Sequence, residues 1–242
     1  MRLPLPLRVL SLLLLAALPS FAGDAHNTLT DAEKAAGWQL LFDGTSLKGW
    51  HAIGAADAAG TGWSAEEGEL RLRLPQPGGE KTAHKDLLTD ADFSDFELTW
   101  EWNIAAGGNS GVKYNLPDKT KGVGCEYQMI DDERHADAKV PGGSHKTAAL
   151  YDIMPPTDAK VKPAGEWNQS RILVKGNHVE QYLNGGKTAE FDFGSDALKE
   201  LIAKSKFKST KGWGEKTISP ILLQDHGNEV TFRDIKIRPS TP

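Results

Sequence analysis

Two polar side chains, Glu126 and Gln128, share one face of a predicted strand in the stretch CEYQMI. Cys125, Tyr127 and Met129 alternate with them and are typical of a core-facing side, because successive side chains of a strand point to opposite faces. A carboxylate can accept a proton or hold a cation, and an amide both donates and accepts hydrogen bonds, as a sugar hydroxyl requires. The pattern therefore predicts that the pair points from a central strand into a concave ligand-binding pocket. A solvated polar face, which is ordinary for one side of a sheet, would give the same alternation.

A second group of side chains able to move protons follows farther along the chain. His145 lies in the loop that begins PGGSHKTAALYDI, shortly before Tyr151, and Gln224 and His226 share a face at the end of a later predicted strand. His and Tyr both serve as general acids or bases when their surroundings tune them. We expect His145, where the loop meets a strand over AALYDI, to reach the pocket of Glu126. A lone His is otherwise more often structural or simply exposed.

The familiar motifs of several other enzyme classes are absent from the sequence. There is no Gly-x-Ser-x-Gly and no paired-histidine metal motif, and Cys125 is the only cysteine, so an intramolecular disulfide and a cysteine-cluster metal site are both excluded. The glycine-rich loop AAGGNSGVKY, which contains Asn109, lacks the helix and the Lys-Ser/Thr pair of a phosphate-binding loop. The spacing of residues in the sequence alone therefore indicates neither a metal site nor a serine nucleophile.

Tryptophan is abundant, with seven residues in the chain. Flat aromatic faces with a polar edge can stack on sugar rings, while Glu, Asn and Gln bind hydroxyl groups. The combination favours a carbohydrate ligand, although a tryptophan-rich sandwich core must account for several of the seven.

Composition and charge exclude some partners. The chain has 242 residues, of which 25% are charged, and a formal net charge of −5. Because there is no basic excess to neutralise phosphates, nucleic acid is not an expected partner. No run of Lys and Arg suits an anionic membrane surface.

The first 22 residues have the pattern of a signal peptide. Two arginines accompany the apolar run VLSLLLLAALP, which is too short to span a bilayer, and a small-x-small cleavage site follows. We expect cleavage after Ala22, a single domain over residues 23–242, and a periplasmic or secreted bacterial protein. No Cys lies at the cleavage point and no later apolar stretch approaches membrane length, so we expect no membrane anchor.

Strands must position most of these side chains. DFELTWEWNI alternates apolar and polar residues, and GELRLRL, GVKYNL, SRILVKG and EVTFRDIKI are further strand candidates. HVEQYLNGGKTAEFDF predicts a hairpin around Asn184 and Gly185, Ser195 can cap a helix over SDALKELIAKSKF, and Thr30 can cap a short helical turn. Many short antiparallel strands with one short helix predict an all-β fold of two packed antiparallel sheets.

Several motifs taken together resemble the 3-keto-disaccharide hydrolase family, long known as a domain of unknown function. They occur in order over nearly the whole mature chain: GWQLLFDGTSLKGW, FELTWEWNIAAGGNSGVKY, CEYQMIDD, GEWNQSRILVKGNHVEQYLNG and ILLQDHGNEVTFRDIKI. The combination is specific, whereas each motif alone is weak. The resemblance implies a concanavalin A-like jelly-roll β-sandwich in a secreted bacterial protein. It also implies an oxidised sugar as substrate, a glycoside that carries a ketone at C3.

That substrate class sets the chemistry that the site must supply. A ketone at C3 acidifies the hydrogen on C2, so a base can remove it and the resulting enolate can expel the C1 oxygen, with or without later addition of water. The site then needs a base near C2, an electrophile at the C3 oxygen and an acid for the leaving group. A divalent metal ion could be the electrophile. Glu126 and His145 are the candidate catalytic residues, and the positions expected to bind substrate or metal are Glu101, Asn109, Gln128, Tyr151, Gln224 and His226.

Two other functions fit the same residues. An ordinary hydrolase would use two carboxylates, such as Glu101 and Glu126, around an oxocarbenium-like transition state. A non-catalytic, lectin-like carbohydrate-binding module would need only the aromatic and amide groups, because this type of fold does not settle function.

Overall fold

The computed structural model describes residues 26–74 and 82–240 of the chain. The predicted leader and its cleavage point after Ala22 lie outside these residues. Over the described ranges, no helix is both long enough and apolar enough to cross a membrane.

The molecule is built from two antiparallel β-sheets and a few short helices. Its elements, in chain order, are α1 Asp31–Ala35, β1 Gln39–Leu40, β2 Trp50–Ala52, β3 Trp63–Glu66, β4 Glu69–Leu72, β5 Leu87–Thr89, β6 Phe96–Ile104, β7 Asn109–Asp118, β8 Val123–Ile130, a 3₁₀ turn Asp137–Lys139, β9 Asn168–Lys175, β10 His178–Leu183, β11 Gly186–Asp192, α2 Asp196–Ile202, β12 Leu222–Leu223 and β13 Val230–Pro239. The large sheet has the order β11-β10-β9-β6-β13-β4-β3, with β1 also paired to β13, and the small sheet has the order β2-β5-β12-β7-β8. The predicted all-β jelly-roll sandwich is confirmed.

The core lies between the two sheets and takes the alternating apolar faces of their strands. In β6 the apolar residues are buried at every second position and the polar residues between them are half-buried. Trp100 and Trp102 from this strand and Tyr114 and Tyr127 from the small sheet are among the largest fully buried side chains. Part of the tryptophan content is therefore core, as the sequence indicated.

Three local predictions are confirmed by backbone angles and capping hydrogen bonds. Asn184 and Gly185 both have positive φ angles, 47° and 84°, as a two-residue hairpin turn between β10 and β11 requires. The Ser195 side chain accepts a hydrogen bond from the Leu198 amide at 3.2 Å and so caps α2. Thr30 likewise caps α1, within a capping box completed by Glu33.

One predicted strand is wrong, and its replacement shapes the site. The segment AALYDI forms turns rather than a strand, with Ala148 and Asp152 both at positive φ, 65° and 62°. Its backbone still bonds to β8: the Ala148 amide donates to the Gln128 carbonyl at 2.8 Å, and the Tyr151 amide donates to the Glu126 carbonyl at 3.0 Å. β8 is consequently the edge strand of the small sheet rather than a central one, and this folded segment covers its free edge.

Candidate active site

A polar cavity of about 230 Å³ opens on the outer face of the small sheet. Its floor is formed by β7 and β8, where Lys113 lies opposite Glu126 and Gly111 lies opposite Gln128. Its residues come from both of these strands, from the turn segment beside β8 and from two later loops: Asn109, Lys113, Val123, Gly124, Glu126, Gln128, Tyr151, Lys206, Phe207, Gln224 and His226. The core-facing residues Cys125, Tyr127 and Met129 are fully buried on the other side of β8.

Glu126 is a buried carboxylate at the floor of this cavity. Only 6% of the residue is exposed. A glycine at position 111 makes room for it, because a Cβ atom there would lie 2.8 Å from Glu126 Oε1. Burial raises the pKa of Glu126 above its usual range, although the nearby ammonium of Lys113 opposes part of that effect.

Lys113 is the principal residue that sequence reasoning missed. Its Nζ lies 3.6 Å from Glu126 Oε2 and donates a hydrogen bond to the Gly122 carbonyl at 3.3 Å. A second missed residue, Asp86, is half-buried near it, and burial raises the pKa of the Asp86 carboxyl. The alternation of Lys113 with Val112 in GVKYNL was the available signal, since it places the lysine on the polar face.

Three side-chain amides lie around the carboxylate with unused acceptors. The side-chain oxygens of Asn109, Gln128 and Gln224 are buried without a protein partner. The amide nitrogen of Gln128, a residue that lines the cavity, donates to the His145 carbonyl at 3.4 Å, and its oxygen has no protein partner. A buried polar group without a partner costs about 1–3 kcal/mol, so these oxygens are suited to the hydroxyl groups of a ligand.

His145 lies outside the cavity and packs behind one of its walls. Its Nδ1 is 2.8 Å from Asp137 Oδ1 and its Nε2 is 2.9 Å from Asp152 Oδ1, so both ring nitrogens are engaged by carboxylates. Burial lowers the pKa of His145, but the hydrogen bonds to Asp152 and Asp137 outweigh it and the net pKa is raised. The ring packs against that of Tyr151 with centroids 4.5 Å apart. The structure thus places His145 in contact with the cavity wall and not with the cavity itself.

The same carboxylates fix the wall formed by Tyr151 and Lys206. The Tyr151 hydroxyl donates to Asp137 Oδ2 at 3.0 Å, and Lys206 Nζ lies 4.1 Å from the centre of the Tyr151 ring. The Lys206 amide donates to Asp152 Oδ2 at 2.7 Å. Asp152 therefore ties the turn segment beside β8 to the loop that carries Lys206.

Glu101 lies on the other sheet. It projects from the outer face of β6 and accepts a hydrogen bond from Arg233 Nε at 2.7 Å. It lines a separate cleft of the large sheet together with Trp38 and Asp234. Of the predicted site residues, the structure brings together Asn109, Glu126, Gln128, Tyr151, Gln224 and His226, with His226 exposed at the rim.

Possible metal ligands occur in and outside this cavity. Within the described ranges, two clusters each hold three side chains whose ligand atoms lie within 4.8 Å of one another. One cluster is His26, Glu101 and Asp234, the other is His178, Glu180 and Glu190, and neither includes Glu126. In the cavity, the Glu126 carboxylate and the free amide oxygens are the donor types that hard divalent cations prefer. In the cavity, however, a positive charge already lies beside the Glu126 carboxylate, because the ammonium of Lys113 is 3.6 Å from it.

The jelly-roll sandwich with this polar cavity on its smaller sheet fits the class of carbohydrate-active enzymes. Residues 37–238 match the model of the 3-keto-alpha-glucoside-1,2-lyase-like domain, and the chain belongs to that family. A 3-keto-disaccharide hydrolase from Bacteroides thetaiotaomicron is 31% identical over 229 residues, which cover 84% of this chain and 78% of that protein. The resemblance predicted from the motifs is confirmed.

Two crystal structures from Parabacteroides distasonis, both of provisionally assigned glycosyl hydrolases, share the fold. One has a TM-score of 0.78 and 32% identity, and the match covers 90% of this chain and 100% of that one. The other has a TM-score of 0.66 and 26% identity, with coverages of 84% and 99%. These relatives support a carbohydrate-active enzyme of the glycosidase type.

Proposed function

We propose that this protein cleaves 3-keto-glycosides by elimination across C1 and C2 of the oxidised sugar, with Glu126 as the base. The observation that carries the proposal is the Glu126 carboxylate itself, buried at the floor of a cavity whose amide oxygens have no protein partner. The family of the chain and the name of its Bacteroides thetaiotaomicron relative support the substrate class.

The reaction needs no oxidant or reductant. Glu126 takes the hydrogen on C2 as a proton, and the electron pair of the C–H bond forms a C2–C3 double bond while the ketone oxygen becomes an enolate. When the C3 carbonyl re-forms, the electron pair moves to a C1–C2 double bond and the C1–O bond breaks. The leaving oxygen gains a proton, which balances the one lost from C2. Addition of water to the unsaturated product would complete a net hydrolysis.

The environment of Glu126 suits a general base. A base is most effective when its pKa lies near the working pH, and burial moves the pKa of this carboxyl in that direction. The charge of Lys113 opposes part of that rise in pKa. The cavity therefore holds a carboxylate that is more basic than an exposed one.

The surrounding groups would bind and orient the sugar. The free oxygens of Asn109, Gln128 and Gln224 can accept hydrogen bonds from its hydroxyl groups. Tyr151 offers an aromatic wall that is held in place by Asp137 and backed by His145. In this account His145 is a positioning residue, because both of its nitrogens are occupied and its contact is with Tyr151.

The two-carboxylate mechanism cannot use Glu101 as its second carboxylate. In such hydrolases the two carboxyl groups lie about 5–9.5 Å apart. Glu101 and Glu126 project from opposite outer faces of a sandwich whose sheets pack about 10 Å apart, and Glu101 is paired with Arg233. Glu101 therefore cannot act with Glu126 on one glycosidic bond.

The proposal is tested with a 3-keto-disaccharide and its unoxidised parent. We expect cleavage of the oxidised sugar and none above background of the parent, because only the C3 ketone makes the C2 hydrogen acidic. Both reactions are followed by chromatography of the released sugar at equal enzyme concentration. Equal rates on the two substrates would exclude the elimination mechanism, and binding of the 3-keto-disaccharide without turnover would favour a carbohydrate-binding module.

A further inference from the structure

Lys113 is a largely buried cation that lies directly beside the proposed base. Its side chain is 13% exposed and lies opposite Glu126 in the register of β7 and β8. The Gly122 carbonyl accepts one of its hydrogen bonds, and the Glu126 carboxylate lies within 3.6 Å. An ammonium has three donors, so at least one stays available to a molecule in the cavity.

The surroundings of Lys113 hold its charge in place. Asp86 contributes a second negative charge near the ammonium, and that carboxylate is itself fixed by the Asp225 amide, which donates to Asp86 Oδ1 at 2.9 Å. Gly122 has a φ of +61°, and a Cβ atom there would lie 3.0 Å from Asp86 Oδ2, so a glycine lets the carboxylate come close. The ammonium is thus held by the Gly122 carbonyl beside the Glu126 carboxylate, with the charge of Asp86 nearby, instead of moving freely in solvent.

Its neighbour in the cavity, Lys206, is differently placed. Lys206 is exposed, and its ammonium lies over the ring of Tyr151 at the rim. A charge that is shielded from water acts more strongly on a bound group than one in full contact with water. Lys113 is therefore the cation best placed to act on a reacting atom.

We propose that Lys113 is the electrophile of the reaction, donating a hydrogen bond to the C3 oxygen of the sugar and stabilising the enolate. This inference rests on the proposed function. C2 and C3 are adjacent atoms, so a base at the C2 hydrogen and a donor at the C3 oxygen must themselves be neighbours, as Glu126 and Lys113 are. No covalent bond to the lysine is formed: the oxygen gains negative charge as the C2 proton moves to Glu126, and it loses that charge when the carbonyl re-forms.

The test compares Lys113→Met with Lys121→Met on a 3-keto-disaccharide, at a pH high enough to ionise Glu126 in both variants. Lys121 is an exposed lysine of the turn between β7 and β8, paired only with Asp118 in the described part of the chain. We expect Lys113→Met to lose about 10²–10³-fold in kcat, the range seen when one donor to a developing oxyanion is removed. Lys121→Met should keep the native rate.

A second readout separates this role from a merely structural one. In D₂O, a 3-keto sugar without a glycosidic leaving group at C1, 1,5-anhydro-3-keto-glucitol, reports removal of the C2 proton without glycosidic cleavage, through loss of its C2–H signal. Lys113→Met should lose this exchange together with cleavage, and Lys113→Arg should recover part of both because it restores the charge.

Several results would overturn the assignment of Lys113 while leaving the proposed function intact, because the native enzyme would still cleave the 3-keto-disaccharide. One is native-like cleavage and exchange by Lys113→Met. Another is loss of native activity on treatment with a chelator, restored by a divalent metal, which would give the electrophile's role to an ion. A third is a sugar adduct on Lys113 after borohydride reduction, which would show a covalent imine.

Discussion

Replacing Glu126 with Gln is expected to lower kcat on a 3-keto-disaccharide by about 10³-fold, within the ~10²–10⁴-fold that a positioned general base contributes. The amide has nearly the same shape as the carboxylate and can still accept a hydrogen bond, but it cannot take the C2 proton. The native enzyme should also lose activity as the pH falls through the pKa of Glu126, which burial raises, because the protonated acid is no longer a base. Initial rates across a pH series measure both effects, and the acid limb should be absent from the residual activity of Glu126→Gln.

His145→Ala is the comparison that decides between the two candidate bases. His145 contacts the cavity only through Tyr151, so its removal should disturb the wall and raise KM more than it lowers kcat. A loss of about 10³-fold in the kcat of His145→Ala, together with a normal rate in Glu126→Gln, would transfer the role of base to the histidine.

Gly111→Ala should lower kcat by about 10²-fold, the loss that a displacement of about 1 Å can cause at a reacting group. The new Cβ atom would lie 2.8 Å from Glu126 Oε1, so the carboxylate must move. The atoms that give way belong to a side chain, so the strand itself should stay intact and the melting temperature should change little. Measurements of kcat and of the melting temperature on the same preparation test the expected loss of activity and the expected retention of stability.

Gly186→Ala is the matched control. Gly186 also lies in a strand, and its added Cβ would meet only the Leu183 carbonyl at an ordinary 3.6 Å. It should keep native activity. If Gly111→Ala were as active as this control, the position of the Glu126 carboxylate could not matter to the rate.

The sequence predicts the sandwich well because strand alternation is a local property. The buried positions of β6, and the division of β8 between Glu126 and Gln128 on one face and Tyr127 on the other, follow directly from side chains that alternate along a strand. Family motifs supply the jelly roll, which alternation alone does not specify.

The parts that sequence reasoning missed depend on contacts between distant segments. Lys113 lies opposite Glu126 through strand register, and Asp86 comes near Lys113 only because β5 and β12 join the same sheet as β7. The apolar residues of AALYDI indicate a strand, whereas positive φ angles at Ala148 and Asp152 fold the segment into turns. Glu101 has the right chemistry, but β6 belongs to the other sheet.

Removal of the C2 proton by Glu126 is tested most directly by the fate of that hydrogen in 1,5-anhydro-3-keto-glucitol dissolved in D₂O. The ketone activates both C2–H and C4–H, so the C4–H signal serves as an internal control within the same molecule. We predict that the native enzyme exchanges C2–H well above the rate in buffer, that C4–H keeps the buffer rate, and that Glu126→Gln exchanges neither. Competition with a 3-keto-disaccharide first establishes that the analogue occupies the cavity. If the bound analogue then kept its C2–H at the buffer rate while the same enzyme cleaved the disaccharide, cleavage would not proceed through loss of the C2 proton, and the account would be wrong.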